Sequence, residues 1–389
     1  MRILLISFST NPDLQQYLYN LYKYYRSENK EVFTLGSNDI KINTIMDKYN
    51  YIIKTPERPT INTESFVLFF KNISKIKMIM KRIKPNIVHF ISKHVWNYFF
   101  IKLFFRYPDI YFLHTIHDPI GHMEEKIRKK VIFYYKTINK IVDGVVFHSY
   151  NSFEDYKNNY NLIRKNIIIP LGIFKSKEYQ KNRNNKKVII FGRLNPYKGL
   201  EFIPKLSDEL LKLDKKIEIN IYGKVAPEIN KNLIQKIKRK KNIRFYSGFV
   251  SEDKVDELFM NHDITLITHK SISQSGIIVK SYLNSRPVIA FNVKGMSEFV
   301  NKKTGELVEP FNIKNYANKI YKLLNNKNIL DYKSFNAWKY SKSNFNVEIM
   351  ARNLYHFYSD VFYSNFLSKN TKKMEESSSH IDPRKLDKK

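Results

Sequence analysis

The sequence predicts an α/β protein built from two doubly wound domains, and three observations carry that prediction. Short apolar runs alternate with longer amphipathic segments along most of the chain, at the spacing of strands and helices in parallel sheets. The alternation is interrupted by a Lys- and Asn-rich stretch, 175–187, with almost no apolar residue. At 389 residues the chain is also too long for one ordinary open α/β domain. The expected organisation is a first domain over 1–174, a linker over 175–187, a second domain over 188–345, a long amphipathic helix over 346–367 and a polar, disordered tail over 368–389.

Composition narrows the function. The 68 Lys and Arg outnumber the 36 Asp and Glu, giving a formal net charge of +32. Such a charge points to an anionic partner: nucleic acid, an anionic bilayer, or a phosphorylated substrate. A global bias towards Lys, Asn, Ile and Tyr is the competing explanation. With no cysteine, disulfides and thiolate metal sites are excluded. The first residues, MRILLISFSTNPD, lack the long apolar core and cleavage site of a secretory signal and read as a first strand. No apolar run reaches the roughly 18 residues of a membrane span, so a cytoplasmic protein is expected.

In the first domain, Ile3 to Phe8 is a strand buried on both faces, followed by a loop carrying Ser9, Thr10 and Asn11 and a helix over Leu14 to Arg26. Further strands are expected at Glu31–Thr34, Tyr51–Ile53, Ile87–Phe90, Ile110–His114 and Gly144–Phe147. Two helices, Phe66–Ile83 and Glu124–Ile141, are both apolar and rich in Lys and Arg, and Trp96–Phe105 is aromatic and apolar. Apolar and cationic faces on one helix suit either an anionic bilayer or a core face backed by solvated lysines. The stretch LHTIHDPIGHMEEK (Leu113 to Lys126) follows a buried strand, so His117, Asp118 and His122 belong to a loop at the sheet's carboxyl edge. Nothing completes a metal-ligand set there, and the chain has no Asp-x-Asp pair. Ser149 and Ser152 are candidate caps for the helix after the next strand.

The second domain opens with KKVIIFGRLNPYKGLEFI (Lys186 to Ile203). Val188 to Phe191 is a buried strand, and Gly192 ends it where the backbone must turn. Arg193 and Lys198 follow in the loop, with Gly199 allowing close backbone approach. Two cations at the carboxyl end of a parallel strand suit a diphosphate, unless they are only solvated loop charges. Strands are expected near Val188 and at Ile217–Tyr222, Ile243–Phe245, Ile264–Ile267, Val288–Phe291 and Leu307–Val308. A loop over Ser247 to Phe259 leads into a helix capped by Ser251. Between Asp263 and Val300 lie a strand, a polar loop with Gln274, Ser275 and Gly276, a helix, and a second strand opened by Pro287, with Glu298 just beyond. The turn Ser275-Gly276-Ile277 offers backbone N–H groups to an anion.

The segments FGRLNPYKG, FYSGFVSEDKVDELF and SQSGIIVKSYLNSRPVIAFNVKGMSEFV resemble, in order and spacing, the nucleotide-sugar domain of glycosyltransferase family 4. That resemblance implies a GT-B architecture: two Rossmann-like domains facing across a cleft, with the terminal helix crossing back to brace the first. It implies a retaining, metal-independent transfer from a UDP- or GDP-linked sugar to a glycan acceptor, lipid-linked and made for cell-surface polysaccharide, with possible peripheral contact with an anionic membrane. Gly192, Arg193, Lys198, Gly199, Gln274, Ser275, Gly276, Ile277 and Glu298 would bind the donor. His117 would approach the donor sugar and Asp118 or His122 the acceptor or loop architecture, making His117 and Asp118 the catalytic candidates, with His122, Ser9 and Thr10 on the acceptor side.

The chain departs from the family pattern in four places. The loop after the first strand has no glycine, and Leu171 stands where a His is frequent. Ile272 and Lys280 occupy the positions of the two glutamates. Gln274 and Ser275 would then take over polar work, with Glu298 matching a later family glutamate. The alternative these departures raise is a non-catalytic relative that binds a glycan or a partner transferase. A nucleic-acid binder rests on charge alone, with no recognisable module behind it.

Overall fold

The computed structural model describes residues 1–37, 48–56, 63–105, 107, 109–120, 125–160, 165–172, 177–271 and 276–379. Among these, the strands form two wholly parallel sheets. The first is built in the order β1 (Ile3–Ser7), α1 (Pro12–Ser27), β2 (Val32–Ser37), β3 (Asn50–Ile53), α2 (Thr63–Ile83), β4 (Ile87–Phe90), α3 (Val95–Phe104), β5 (Tyr111–Ile116), α4 (Glu125–Ile138), β6 (Gly144–Phe147), α5 (Tyr150–Tyr160) and β7 (Lys165–Ile168). Its spatial order is β3-β2-β1-β4-β5-β6-β7, with Ile3 of β1 opposite both Val32 and Ile87.

The second runs β8 (Lys187–Phe191), α6 (Ile203–Leu213), β9 (Glu218–Gly223), α7 (Lys231–Lys238), β10 (Ile243–Ser247), α8 (Glu252–Met260), β11 (Ile264–Ile267), α9 (Gly276–Leu283), β12 (Val288–Phe291), β13 (Gly305–Val308), α10 (Ile313–Leu324) and α11 (Lys327–Asn344). Its spatial order is β10-β9-β8-β11-β12-β13. Each sheet therefore has one point where the chain reverses its direction of winding: between β1 and β4, and between β8 and β11. There the loops leaving adjacent strands part to opposite faces and leave a crevice at the strands' carboxyl ends.

Strands β1, β4, β5 and β6 are buried along their whole length because helices cover both faces of the sheet. Leu4, Ile6, Val88 and Phe90 point to a core shared with α2, α3, α4 and α5. Ile3, Leu5 and Ile87 point to the opposite core, shared with α1 and the last helix, α12 (Val347–Ser379). That helix crosses from the second domain to seal the first: Tyr25 donates to the Ala351 carbonyl at 2.8 Å, and the Tyr358 hydroxyl bonds His89 Nδ1 at 2.6 Å. His89 Nε2 meets the Thr115 hydroxyl at 2.8 Å, and burial holds the imidazole neutral, far below its ordinary pKa.

The segment between the sheets is irregular but pinned. Buried Arg286 donates to the Lys181 carbonyl, to Asn182 and to the Phe259 carbonyl, and both Asp263 oxygens accept linker N–H groups, from Asn184 and Lys186, at 2.8 Å.

Three elements differ from the sequence reading. α12 continues to Ser379, so 368–379, expected to be disordered, is helical, and it contains no Gly or Pro to end the helix. Strand β7 was not foreseen, because as an edge strand only alternate residues are half-buried. Helix α11 was not foreseen either, its sequence being too polar to display an apolar stripe.

Tyr358→Phe removes a partner from a buried imidazole and should cost about 1–3 kcal/mol of stability. Urea unfolding measures it, with Tyr363→Phe, on an exposed face of the same helix, leaving the midpoint unchanged.

Candidate active site

The crevice of the second sheet is shaped by the loop after β8. Gly192 has φ +98°, and a Cβ there would lie 3.1 Å from Lys198 Nζ and 3.2 Å from Ile277 Cδ1. The absent side chain thus lets Lys198, from the far end of the loop, and Ile277, from the first turn of α9, meet over the end of the strand. Gly199, at φ +69°, ends the short 3-10 turn Pro196–Lys198, and a Cβ there would collide with the Thr268 carbonyl. Two hydrogen bonds tie this loop to the one after β11: the Thr268 hydroxyl donates to the Lys198 carbonyl at 2.6 Å, and Lys270 N–H donates to the Tyr197 carbonyl at 2.7 Å. Tyr197 packs edge-on to His269, 5.5 Å between ring centres.

Lys198 is only 5% exposed. Its ammonium donates to the Phe191 carbonyl at 3.3 Å and makes no ion pair among the described residues. Removing an ammonium from water without a counter-ion is unfavourable, and burial pushes the pKa down to about 7, with the more distant Asp13 carboxylate of the first domain pulling it back up. Arg193 is exposed beside Tyr197, and the field of Asp118 also reaches Tyr197, so the first domain's loops look directly onto this site. Lys280 sits on α9 with Nζ 6.0 Å from the centre of the Phe191 ring. At the position of a family carboxylate, the second sheet therefore presents a cation.

Across the cleft, His117 follows β5 and its Nε2 bonds the Ile91 carbonyl at 2.8 Å, so that nitrogen carries the proton. The ring is wedged between Tyr17, 6.1 Å away, and His148, 5.4 Å away. His148 donates from Nδ1 to the Ile169 carbonyl at 2.8 Å, and burial lowers its pKa to about 3. Neutral at ordinary pH, it fixes its neighbour without charging it. Asp118 is half-buried beside His117. In the loop after β1, the Ser9 hydroxyl accepts from Asn11 N–H at 3.2 Å, and Gln15 donates to the Ser7 and Ser9 carbonyls at 3.0 and 2.7 Å. These hydrogen bonds brace a loop that contains no glycine. Thr10 lies in the same loop.

Glu298, expected as a donor contact, is engaged with the first domain. Its two oxygens accept from Tyr150 and Asn151 N–H, at 2.7 and 2.6 Å, capping the amino end of α5 in the other domain. Lys294 pairs with Asp155 at 2.5 Å alongside. Burial raises the Glu298 carboxyl pKa, and the two N–H groups pull it partly back. The structure thus gathers Gly192, Lys198, Gly199 and Ile277, with Gly276 at the start of α9 and Arg193 on the rim, opposite His117 and Asp118. Gln274, Ser275 and His122, and also Ile272, lie outside the described residues. The sequence reading missed Asp13, Tyr197 and Lys93, a half-buried lysine in the loop after β4. The available signal was their position just past an apolar strand.

Two family models match the chain consecutively: Glycosyltransferase Family 4 over residues 14–177 and Glycosyl transferases group 1 over residues 173–341. The chain belongs to the family 4, group 1 glycosyltransferases. A curated relative, the poly(ribitol-phosphate) alpha-N-acetylglucosaminyltransferase of Staphylococcus aureus (strain COL), is 25% identical over 220 residues, covering 55% of this chain and 43% of the relative. The chain therefore spans less than half of the relative's length. Among solved structures, sucrose-phosphate synthase from Thermosynechococcus elongatus has a TM-score of 0.75 at 16% identity, covering 94% of this chain and all of that one. Anabaena HepE in complex with UDP and glucose has a TM-score of 0.72 at 18% identity, covering 92% and 99%. At these identities they establish the two-domain GT-B fold and no more.

A pH dependence follows from Lys198. Its folded pKa lies below the ordinary 10.5, so the unfolded chain holds the extra proton between about pH 7 and 10.5, and this group favours the free fold more as pH rises across that window. A bound diphosphate requires the charged form. Affinity for a nucleotide sugar, whose diphosphate does not titrate here, should be level below pH 7 and fall above it, by up to about tenfold per unit. Calorimetric titration measures this, and Lys198→Arg should flatten the decline.

Proposed function

We propose that this chain transfers a sugar from a UDP- or GDP-linked donor to a glycan acceptor, with retention of configuration and without a metal, in the synthesis of cell-surface polysaccharide. The observation that carries the reading is Lys198: a buried ammonium without an ion pair among the described residues, at the carboxyl edge of the second sheet where the winding reverses. The donor's diphosphate supplies the missing counter-charge. As the bond from the sugar to the diphosphate breaks, charge gathers on the leaving oxygen, and Lys198, Arg193 and the amino end of α9 oppose it. One such interaction is worth about 3 kcal/mol of barrier. The acceptor hydroxyl enters from the first domain on the face the diphosphate leaves, and its proton passes to the departing phosphate. His117, held by Ile91, orients the sugar. Asp118 faces the acceptor.

The acceptor is read as lipid-linked, and the protein as bound peripherally to the inner face of the cell membrane. Support comes from the outer surface of α2, α3 and α4, where Phe70 and Phe133 are 65% and 69% exposed among Lys71, Lys102, Lys129 and Lys130. No helix among the described residues is long and apolar enough to cross a membrane. The S. aureus relative, named for action on poly(ribitol-phosphate), supports a surface-glycan acceptor.

Thermal denaturation with UDP, GDP, ADP, TDP and CMP tests the reading. One diphosphate should raise Tm by mass action, the shift should vanish in Lys198→Ala, and EDTA should leave it unchanged. Absence of a shift with every nucleotide would favour the non-catalytic relative, which Lys280 beside the Phe191 ring would then explain.

A further inference from the structure

The first sheet repeats the arrangement that marks the donor site in the second. Its winding reverses between β1 and β4, and the loop after β4 carries Lys93. That loop is rigid: Ile91 N–H donates to the Ile6 carbonyl at 2.8 Å, the Ser92 and Ser7 hydroxyls meet at 3.1 Å, and Asn97 donates to the Ser92 carbonyl at 2.8 Å. The Ile91 carbonyl holds His117, so Lys93 stands two residues from an atom that touches the proposed catalytic face. Its half-buried ammonium makes no hydrogen bond or ion pair among the described residues. Asp118 is near enough to be felt but is not in contact, as Asp13 is to Lys198. The next residue, His94, accepts at Nδ1 from Trp96 N–H at 3.1 Å, so its buried Nε2 carries a proton that no acceptor among the described residues receives.

An ammonium partly withdrawn from water at a ligand crevice, with its carboxylate held off, is arranged for an anion that arrives from outside. We propose that Lys93 binds an anionic oxygen group, a phosphate or carboxylate, on the acceptor. This deepens the transferase reading and rests on it: the two reversal points face each other, Lys198 for the donor's diphosphate and Lys93 for the acceptor's own charge. The reacting hydroxyl is then one flanked by an acidic substituent, and neutral glycans are poor acceptors.

The experiment is calorimetric titration of sn-glycerol 3-phosphate, glucuronate and ribitol into the full chain saturated with UDP, repeated on Lys93→Met and Lys198→Met. At least one of the two anions should bind alongside UDP, and which one binds identifies the group. Ribitol should not bind. In Lys93→Met the anion should bind at least about tenfold more weakly with UDP binding unchanged, while Lys198→Met should show the converse. Equal anion binding by Lys93→Met, displacement of the anion by UDP, or binding of neither anion by the wild type would overturn the proposal. Thermal melting of the ligand-free proteins adds an independent readout. Relieved of a lone charge, Lys93→Met should melt no lower than the wild type, whereas a lower Tm would make Lys93 a structural partner of Asp118 and overturn the proposal. If UDP fails to bind the wild type, the donor reading falls, and the anion titration of wild type against Lys93→Met still decides the Lys93 site.

Discussion

An ammonium group removed from water needs a counter-charge, and Lys198 has none within the described residues. Much of the second domain's local structure holds it in that condition. Gly192 clears the space above β8, Gly199 turns the chain so that Thr268 can clamp the Lys198 carbonyl, and Ile277 closes the apolar side. None of these contacts offsets the desolvation of the charge, which is why the pKa falls to about 7. The deficit is tolerable because three cores, each buried between helices and a parallel sheet, supply the stability the site does not.

The cleft has a second constraint, the distance between its walls. Glu298 and Lys294 hold α5 from the far side, and α12 ties the end of the second domain to the core of the first through Tyr358 and His89. The two attachments let the loops after β1, β4 and β5 face the loop after β8, so that Asp13 and Asp118 reach Lys198 and Tyr197 by field alone. A donor and an acceptor bound on opposite walls would meet with water largely excluded, where fixed charges act most strongly.

The fold was legible because parallel strands buried on both faces leave continuous apolar runs, as at Ile3–Ile6 and Val288–Phe291, each closed by a polar loop. Edge strand β7 and polar helix α11 lacked such a signature. At the site, Gly192, Lys198 and Gly199 were readable from their spacing after a strand, since the strand fixes where its loop must go. Glu298 was not, because its partners are backbone N–H groups 147 and 148 residues away in the chain. Lys93 was one cation among 68 Lys and Arg, and only the strand order reveals that it stands where the winding reverses.

The most direct measurement is the pKa of the Lys198 ammonium itself, followed by NMR of lysine labelled at the ε-carbon and assigned by Lys198→Arg. The expected result is titration near pH 7 in the free protein and a clear upward shift when the stabilising nucleoside diphosphate is added. Titration near 10.5 in the free protein, or a value indifferent to the nucleotide, would contradict it.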